Sequence, residues 1–331
     1  MPLEDLIIFI KIIVPIFISQ KKSKLMDGLI METSKKTNDL FSNKELLPAI
    51  TLPFLFIVLW SSGYIGGAIG LDYAEPFTMT LFRFGSAAAI LTIVSLLMKA
   101  PWPKGKQLLH VGVVGVLIQA VQFGGLYSGM NLGVPAGVSA LIVGTMPILT
   151  AIGAGFFLGE TVTKKQWGGL LLGICGVALV VSEGLNFTDI NPMGYFFVII
   201  ALLGITSGAL YQKKFCQSMD LRSGGAIQLT IAAMIMWLLA SNFETMTVQW
   251  SFGFIASTAW LALMNSIGAI SLMYLLLRRG KASAVSSLFF LIPPTTAIMA
   301  TLVLGDDFEL VEMLGFAVAV SGVYLATHSK P

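Results

Sequence analysis

The sequence predicts an all-α integral membrane protein with ten transmembrane helices, arranged as two inverted five-helix repeats. Three observations support this prediction: the composition, ten apolar runs of membrane-spanning length, and an internal repeat. Hydrophobic residues make up 56% of the 331 residues and charged residues only 11%, whereas a soluble domain has about 45–50% and about 25%. The chain therefore has too few charged side chains to cover a water-exposed surface.

The same composition excludes several classes of function. A net charge of +3 over 331 residues gives no basic stripe for a nucleic acid. Cys175 and Cys216 have the spacing of neither a disulfide nor a zinc site, and with only His110 and His328 a metal centre lacks ligands. No phosphate-binding loop or nucleophile elbow occurs. We therefore expect no metal, no cofactor and no enzymatic activity.

Ten apolar runs of about 20 residues have the length that crosses roughly 30 Å of hydrocarbon. Helices are expected, because barrel strands would be about ten residues long and would alternate in polarity. The runs lie at about 50–70, 76–98, 108–130, 134–158, 166–182, 193–212, 223–240, 252–277, 282–304 and 310–327.

The charges fix an orientation for a ten-span chain. Apart from Arg83, every Lys and Arg falls on one side of the membrane, namely in the N-terminal tail, at 99–106, 164–165, 213–222 and 278–281, and at Lys330. The opposite loops hold only acidic charges: Asp72, Glu75, Asp189, Glu244, Asp306 and Asp307. The positive-inside rule then places both termini in the cytoplasm of a multi-pass protein of the plasma or inner membrane.

Residues 1–49 are interpreted as a cytoplasmic tail. The apolar stretch from Leu6 to Ser19 has 14 residues and contains Lys11 and Pro15, so it is too short to span. It either forms an interfacial helix or precedes the true translation start, at Met26 or Met31. It has no small-residue cleavage site, so a signal peptide is not expected.

The chain also resembles itself at a shift near 146 residues. Leu158-Gly159-Glu160 aligns with Leu304-Gly305-Asp306, and Gly169 and Gly176 align with Gly315 and Gly322. At a shift of 145, Ser62-Gly63 aligns with Ser207-Gly208. Because five spans is an odd number, the second half enters the membrane from the opposite side. Inverted repeats of this kind suit alternating access around a central site.

These residues resemble a known family. The chain resembles the EamA branch of the drug/metabolite transporter superfamily in four features. These are Phe156-Phe157-Leu158-Gly159-Glu160 at the end of a proline-containing fourth span, the matching segment at 304–306, Trp60 in the first span and Arg83-Phe84 in the second. The resemblance covers two units, 50–182 and 193–328. It implies a ten-helix metabolite permease, often an exporter of amino acids or related solutes. Asp306 departs from the pattern, because the family's second unit commonly ends in Glu.

Interrupted helices at matching positions are the sequence signal of a transporter site. Pro147 lies near the middle of the fourth span, and Pro293-Pro294 lies near the middle of the ninth. Each proline frees a carbonyl one turn earlier, which Thr145 or the pair Thr295 and Thr296 could satisfy. A packing kink remains the alternative for each break.

Polar midplane residues give the second signal. Gln119 and Asn265 are separated by 146 residues, the repeat shift itself, and Gln122 follows Gln119 by about one turn. Neutral amides at this depth need a partner or a wet cavity. We expect them to line a substrate site; interhelical hydrogen bonding is the alternative.

Hydroxyl and aromatic residues occupy the matching stretches of the first and sixth spans. We expect Trp60, Ser61, Tyr64 and Ser207 to contribute to a mixed polar and apolar pocket. Trp60 could instead face lipid.

Arg83 is the one charge clearly inside a span. The favoured interpretation is that it snorkels towards Asp72 or Glu75, and the alternative is that it pairs with a substrate carboxylate.

Together these features predict a secondary transporter of small organic metabolites such as amino acids. No Asp or Glu lies in the middle of a span, which argues against a proton-coupled exchanger of cations. Multidrug efflux remains an alternative. A lipid enzyme is less favoured, since the acidic run 306–309 has no histidine nearby. The glycines of spans five and ten suggest close helix packing and a homodimer face.

Overall fold

The computed structural model describes residues 42–181, 192–304 and 310–327, whose regular structure is helical apart from one isolated bridge between Ala74 and Val248. The helices are numbered here in chain order. They are α1 Ser42–Leu71, α2 Pro76–Leu97, α3 Lys106–Asn131, α4 Ala136–Gly144 with Met146–Leu158, α5 Lys164–Val181, α6 Pro192–Phe215, α7 Leu221–Phe243, α8 Phe252–Arg279, α9 Ala282–Ser286 through Ile292–Leu304, and α10 Leu310–Thr327.

Eight of these helices are long and apolar enough to cross a membrane. The remaining two, α5 and α10, are each 18 residues long. The prediction of an all-α, multi-pass membrane protein is therefore confirmed for the described part of the chain. The first helix begins at Ser42 and so takes in the end of the predicted tail. Residues before Ser42, together with Asp189, Asp306, Asp307 and His328, lie outside the described residues.

The helices of the two halves begin at matching positions. Those of the first half begin at 76, 106, 136 and 164, and those of the second begin at 221, 252, 282 and 310. The offsets are 145 residues for the first pair and 146 for the other three. Both α3 and α8 also contain a π-helical stretch, Gly115–Val121 and Leu261–Ala269. The internal repeat thus extends to local irregularities of the backbone.

The pair α2 and α7 runs antiparallel, and its contacts show how. One end of the bundle carries Asp72, Glu75 and Glu244 and is called here the acidic face. At this end Glu244 accepts hydrogen bonds from the backbone N–H groups of Phe77 and Thr78 at 2.7 Å. A carboxylate from the end of α7 therefore satisfies the free donors at the start of α2.

The opposite end is called here the basic face, because it carries Lys99, Lys164, Lys213 and Arg278. It shows the reciprocal contact between α2 and α7. Ser223, at the start of α7, donates to the carbonyl of Pro101, just after α2, at 2.5 Å. Asp220 caps α7 and pairs with Arg222 at 2.6 Å. Burial alone would raise the pKa of Asp220, but the hydrogen bonds from Arg222 outweigh it and lower the pKa.

Glu160 joins the two halves at the basic face. It follows Gly159, whose left-handed φ of 67° ends α4. Its carboxylate accepts from the N–H of Ala282 at 3.0 Å and from the hydroxyl of Ser283 at 3.3 Å, at the start of α9. The acidic end of the fourth span thus acts as a cap for a helix of the other repeat.

The glycines of α5 and α10 pack against each other within one chain. A Cβ on Gly169 would lie 2.7 Å from the carbonyl of Gly322, and one on Gly176 would lie 2.7 Å from the carbonyl of Gly315. The close helix packing that these glycines predict is therefore found within the chain, whereas the homodimer stays a prediction.

We expect Glu244→Gln to lower the thermal midpoint of the detergent-purified protein by a few degrees. The amide keeps one acceptor oxygen and loses the charge that favours a helix N-terminus, a change of about 1–2 kcal/mol. Asp72→Asn is the matched control, because Asp72 is exposed on the same face and makes no hydrogen bond within the described structure. Equal midpoints for the two variants would contradict the role given to Glu244.

Candidate functional site

The interior of the bundle contains a layer of aromatic rings around Trp60 of α1. Trp60 is 2% exposed. Its ring centroid lies 5.0 Å from that of Phe289, 5.4 Å from that of Phe56 and 6.2 Å from that of Phe123. The structure therefore places Trp60 inside the protein and not against lipid, where its indole packs between helices of both repeats.

Glycine allows α1 and α8 to approach closely beside this layer. The Asn265 amide donates to the carbonyl of Leu59 at 2.6 Å, and a Cβ on Gly63 would lie 2.6 Å from Oδ1 of Asn265. The π-helical turn around Asn265 widens the backbone and turns this side chain towards α1. Asn265 thus bonds to the protein itself.

Its repeat partner, Gln119, lies in the matching π-helical stretch of α3 and behaves differently. Gln119 is 1% exposed, and its side-chain oxygen has no hydrogen-bond partner among the described residues. The same holds for both polar atoms of Gln122 and for the hydroxyl of Tyr64. Buried polar atoms without partners are rare in proteins and point to a role beyond packing.

The two broken helices meet in the interior. A Cβ on Gly144, which ends the first part of α4, would lie 3.5 Å from Cγ of Pro293 in α9. Ser61 donates to the carbonyl of Ile292 at 3.2 Å, and Thr145 donates to the carbonyl of Ile142 at 2.7 Å. Of the threonines expected to satisfy carbonyls beside the breaks, Thr145 does so and Thr295 donates to the carbonyl of Leu291 at 2.6 Å. The hydroxyl of Thr296 does not, and Ser61 was not expected in this role.

A second pair of hydroxyls near the breaks has no such partner. Thr150 follows Pro147 by three residues, and Thr296 follows Pro293 by three. Both are buried, and neither hydroxyl has a hydrogen-bond partner among the described residues. Because they are 146 residues apart, they are repeat mates, and each extends the polar interior along one of the broken helices.

Arg83 does not snorkel, so the favoured interpretation of this residue is wrong. It is fully buried, and its Nε donates to the hydroxyl of Ser266 and an Nη to that of Tyr127, at 2.7 and 2.8 Å. Its guanidinium lies 3.9 Å from the ring centroid of Phe123. Glu75 instead accepts from the hydroxyl of Thr245 at 2.7 Å. The inward polar and aromatic contacts hold the side chain away from the acidic face.

Ser207 lies outside this cluster. It is exposed on the outer surface of α6, close to the exposed Leu203, and its hydroxyl bonds to carbonyls of its own helix. The inward face of α6 is formed by Gly204 and Gly208, which contact Leu117 and Ile118 of α3. The helix is therefore turned so that its glycines, and not Ser207, face the interior.

The polar side chains that sequence reasoning missed are Tyr127 and Ser266. Tyr127 accepts from Arg83 and donates to the carbonyl of Gly63 at 3.3 Å, so it links α2 to α1 through α3. A sequence signal existed, because Tyr127 and Tyr274 are 147 residues apart, close to the repeat shift. Ser266 simply follows Asn265 in the widened turn.

The arrangement is suited to binding and not to covalent chemistry. It combines aromatic rings, neutral donors and acceptors, and one cation in a water-poor interior. Within the described ranges no three His, Cys, Asp or Glu come together to hold a metal ion. Of the two described free cysteines, Cys175 is exposed and Cys216 is buried. A small organic solute with both polar and apolar parts is the ligand that these groups fit.

Known proteins resemble this chain in sequence and in fold. The model of the EamA-like transporter family matches the chain twice, over residues 47–182 and 192–327. A solved structure aligns with a TM-score of 0.70 at 18% identity, covering 85% of this chain and 97% of the other. That likeness concerns the fold alone.

Three curated relatives extend over nearly the whole chain. An uncharacterized inner membrane transporter of Escherichia coli (strain K12), YedA, is 28% identical over 87% of this chain and 93% of its own. A protein of the same strain named as a probable amino-acid metabolite efflux pump is 25% identical over 83% and 93%. One from Streptantibioticus cattleyicolor, named as a probable terminal-alkyne amino-acid exporter, is 25% identical over 85% and 94%.

We expect Gly63→Ala to destabilise the protein by about 1–3 kcal/mol, since the added methyl group forces Asn265 away from the Leu59 carbonyl. Gly85→Ala is the matched control, because a Cβ there meets nothing within 4 Å. Thermal midpoints of both variants in detergent measure the effect. A loss at position 85 as large as at position 63 would mean that glycine content, and not this contact, determines stability.

Proposed function

The chain belongs to the EamA-like transporter family, and on that premise we propose that it is a secondary transporter that exports small organic metabolites, amino acids among them. The observation that carries the proposal is a set of buried polar atoms with no partner among the described residues: the hydroxyl of Tyr64, the oxygen of Gln119 and both polar atoms of Gln122. Leaving such atoms buried and unpaired costs about 1–3 kcal/mol each. A cargo with donors and acceptors would recover that cost.

The cargo would lie between Trp60 on α1, Gln119 and Gln122 on α3 and the widened turn of α8 that holds Asn265. Tyr64 contributes a hydroxyl. Thr145 supports the helix break at Pro147, and Ser61 supports the break at Pro293-Pro294. Breaks of this kind let half-helices move separately during alternating access. The closeness of Gly144 to Pro293 places the two breaks next to each other, where both can border the cargo.

Alternating access would follow from ten spans in two inverted repeats. The matching helix starts and the antiparallel pair α2 and α7 support this arrangement. The basic face would then be cytoplasmic, because lysine and arginine are retained on that side. It also carries the ends of the chain in a ten-span protein.

We expect a reporter that is active only outside the cytoplasm to be silent when fused after Lys330 and active when inserted after Thr247. Thr247 is exposed on the acidic face, between α7 and α8. Enzymatic activity of the two fusions, normalised to their amounts in the membrane, measures the orientation. Activity of both fusions would show that the number of spans after Thr247 is even, and activity after Lys330 alone would show that the orientation is reversed.

The amino-acid class is supported by two relatives whose names specify amino acids, and by amides that offer donors and acceptors to a zwitterion. Efflux of lipophilic cations is less well supported, since no Asp or Glu lies in the middle of a span. The direct test is counterflow of labelled amino acids in proteoliposomes, with and without a pH gradient. Failure of all 20 amino acids to exchange would reject the amino-acid cargo.

We expect Gln119→Leu to weaken cargo binding about five- to 150-fold with little change in the thermal midpoint, because its oxygen bonds to nothing within the described protein. Asn265→Leu should mainly lower the midpoint, because it removes the bond to Leu59. Gln249→Leu, on an exposed loop, is the control. Counterflow and melting are measured on the same preparations. Unimpaired counterflow in Gln119→Leu would remove this residue from the site.

A further inference from the structure

Arg83 has one donor group to spare. Two of its nitrogens hold the hydroxyls of Ser266 and Tyr127, and the ring of Phe123 lies beneath its guanidinium. The remaining terminal nitrogen is buried and has no hydrogen-bond partner among the described residues. The three contacts fix the plane of the guanidinium, so this nitrogen is presented in a defined direction.

The second repeat contains a neutral counterpart of this contact. Tyr274 donates to the side-chain oxygen of Gln228 at 2.8 Å. Gln228 follows Arg83 by 145 residues and Tyr274 follows Tyr127 by 147, so both residues are repeat mates. A glutamine therefore links the second and third helices of a repeat as well as an arginine does. The second repeat thus makes the corresponding contact without a charge.

No protein carboxylate compensates this charge within the described structure. The ion pair found there joins Arg222 to Asp220 at the basic face. At the acidic face Glu75 and Glu244 bond to Thr245, Phe77 and Thr78. An isolated cation in a water-poor interior is strongly unfavourable without a partner. A fixed, buried positive charge therefore favours an anion beside it.

A cavity of about 380 Å³ opens at the acidic face of the bundle. It is lined by Ala68 and Leu71 of α1 and by Met130 and Asn131 of α3, the last two about one turn beyond Tyr127. Gly67, the residue before Ala68, packs against the ring of Tyr127, whose hydroxyl accepts from Arg83. Asp72 also lines the cavity, and its charge disfavours a lasting stay of an anion there.

We propose that the free nitrogen of Arg83 binds the carboxylate of the cargo, and that transport requires this carboxylate but not an amino group. The proposal rests on the function proposed above and narrows it to small organic carboxylates whose apolar part packs on the layer around Trp60. No acidic side chain of the described interior is available to recognise an ammonium group.

The test uses four probes that share one body: 3-phenylpropanoate, 3-phenylpropanamide, phenethylamine and phenylalanine. Binding to the detergent-purified wild-type chain is measured as ligand-dependent thermal stabilisation. The two carboxylates should stabilise the protein, and the amide and the amine should not. The proposal would be overturned if the amide or the amine stabilised the protein as much as the carboxylates do. It would also be overturned if neither carboxylate stabilised the protein.

Arg83→Gln reproduces the neutral pair of the second repeat and should keep the protein folded. We expect it to weaken binding of 3-phenylpropanoate at least tenfold, while Arg83→Lys, which keeps the charge without the fork, should weaken it less. Gln228→Leu is the matched control: it removes the neutral link, so it should lower the midpoint of the free protein and leave binding unchanged. Undiminished binding in Arg83→Gln would contradict the assignment.

Counterflow separates the two proposals. Exchange of solutes that lack a carboxylate would support the proposal that the protein is a transporter and contradict the proposed carboxylate subsite at Arg83. Carboxylate binding that depends on Arg83, without exchange of any probe or amino acid, would keep the subsite and reject transport.

Discussion

The constraint on which this structure depends is that hydrocarbon offers no hydrogen-bond partner. Every backbone group must be satisfied inside the chain, which limits the spanning elements to helices. The same constraint makes each irregularity conspicuous: at the breaks in α4 and α9, hydroxyls of Thr145 and Ser61 reach carbonyls beside the missing N–H groups. At the helix ends, carboxylates such as Glu160 and Glu244 cap a helix of the other repeat. Polar contacts between the repeats are thus concentrated at breaks and ends.

Close packing by glycine gives these polar groups their geometry. Gly63 and Gly67 bring the backbone of α1 against Asn265 and Tyr127, so that carbonyls of α1 serve as acceptors for side chains of other helices. The same device on α5 and α10 produces a purely structural contact between backbones. Glycine content alone therefore does not distinguish a functional interface from a structural one; the polar atoms around it do.

The two repeats diverge most clearly where α2 meets α3 and α7 meets α8. Tyrosine occurs in both places, but it faces arginine in the first and glutamine in the second. A similar divergence separates Gln119, whose oxygen has no partner in the described part of the chain, from Asn265, which bonds to Leu59. In both comparisons one repeat satisfies its polar groups internally and the other leaves a group free. A transporter with an approximately symmetric scaffold can in this way recognise an asymmetric cargo.

The sequence by itself determined the elements of this protein: the membrane class, the helical runs, the repeat shift, the proline breaks and the pairing of Gln119 with Asn265. These features can be read from composition and from spacing along the chain, because they depend on residues that are local in the sequence. Only the tertiary structure decided the direction of each side chain. Ser207 turned outward, Arg83 turned inward to Tyr127 and Ser266, and the glycines of α5 met those of α10. The physical reason is that a helix that is apolar on all sides carries no signal for its rotation about its own axis. That rotation is set by packing against helices that are distant in the sequence.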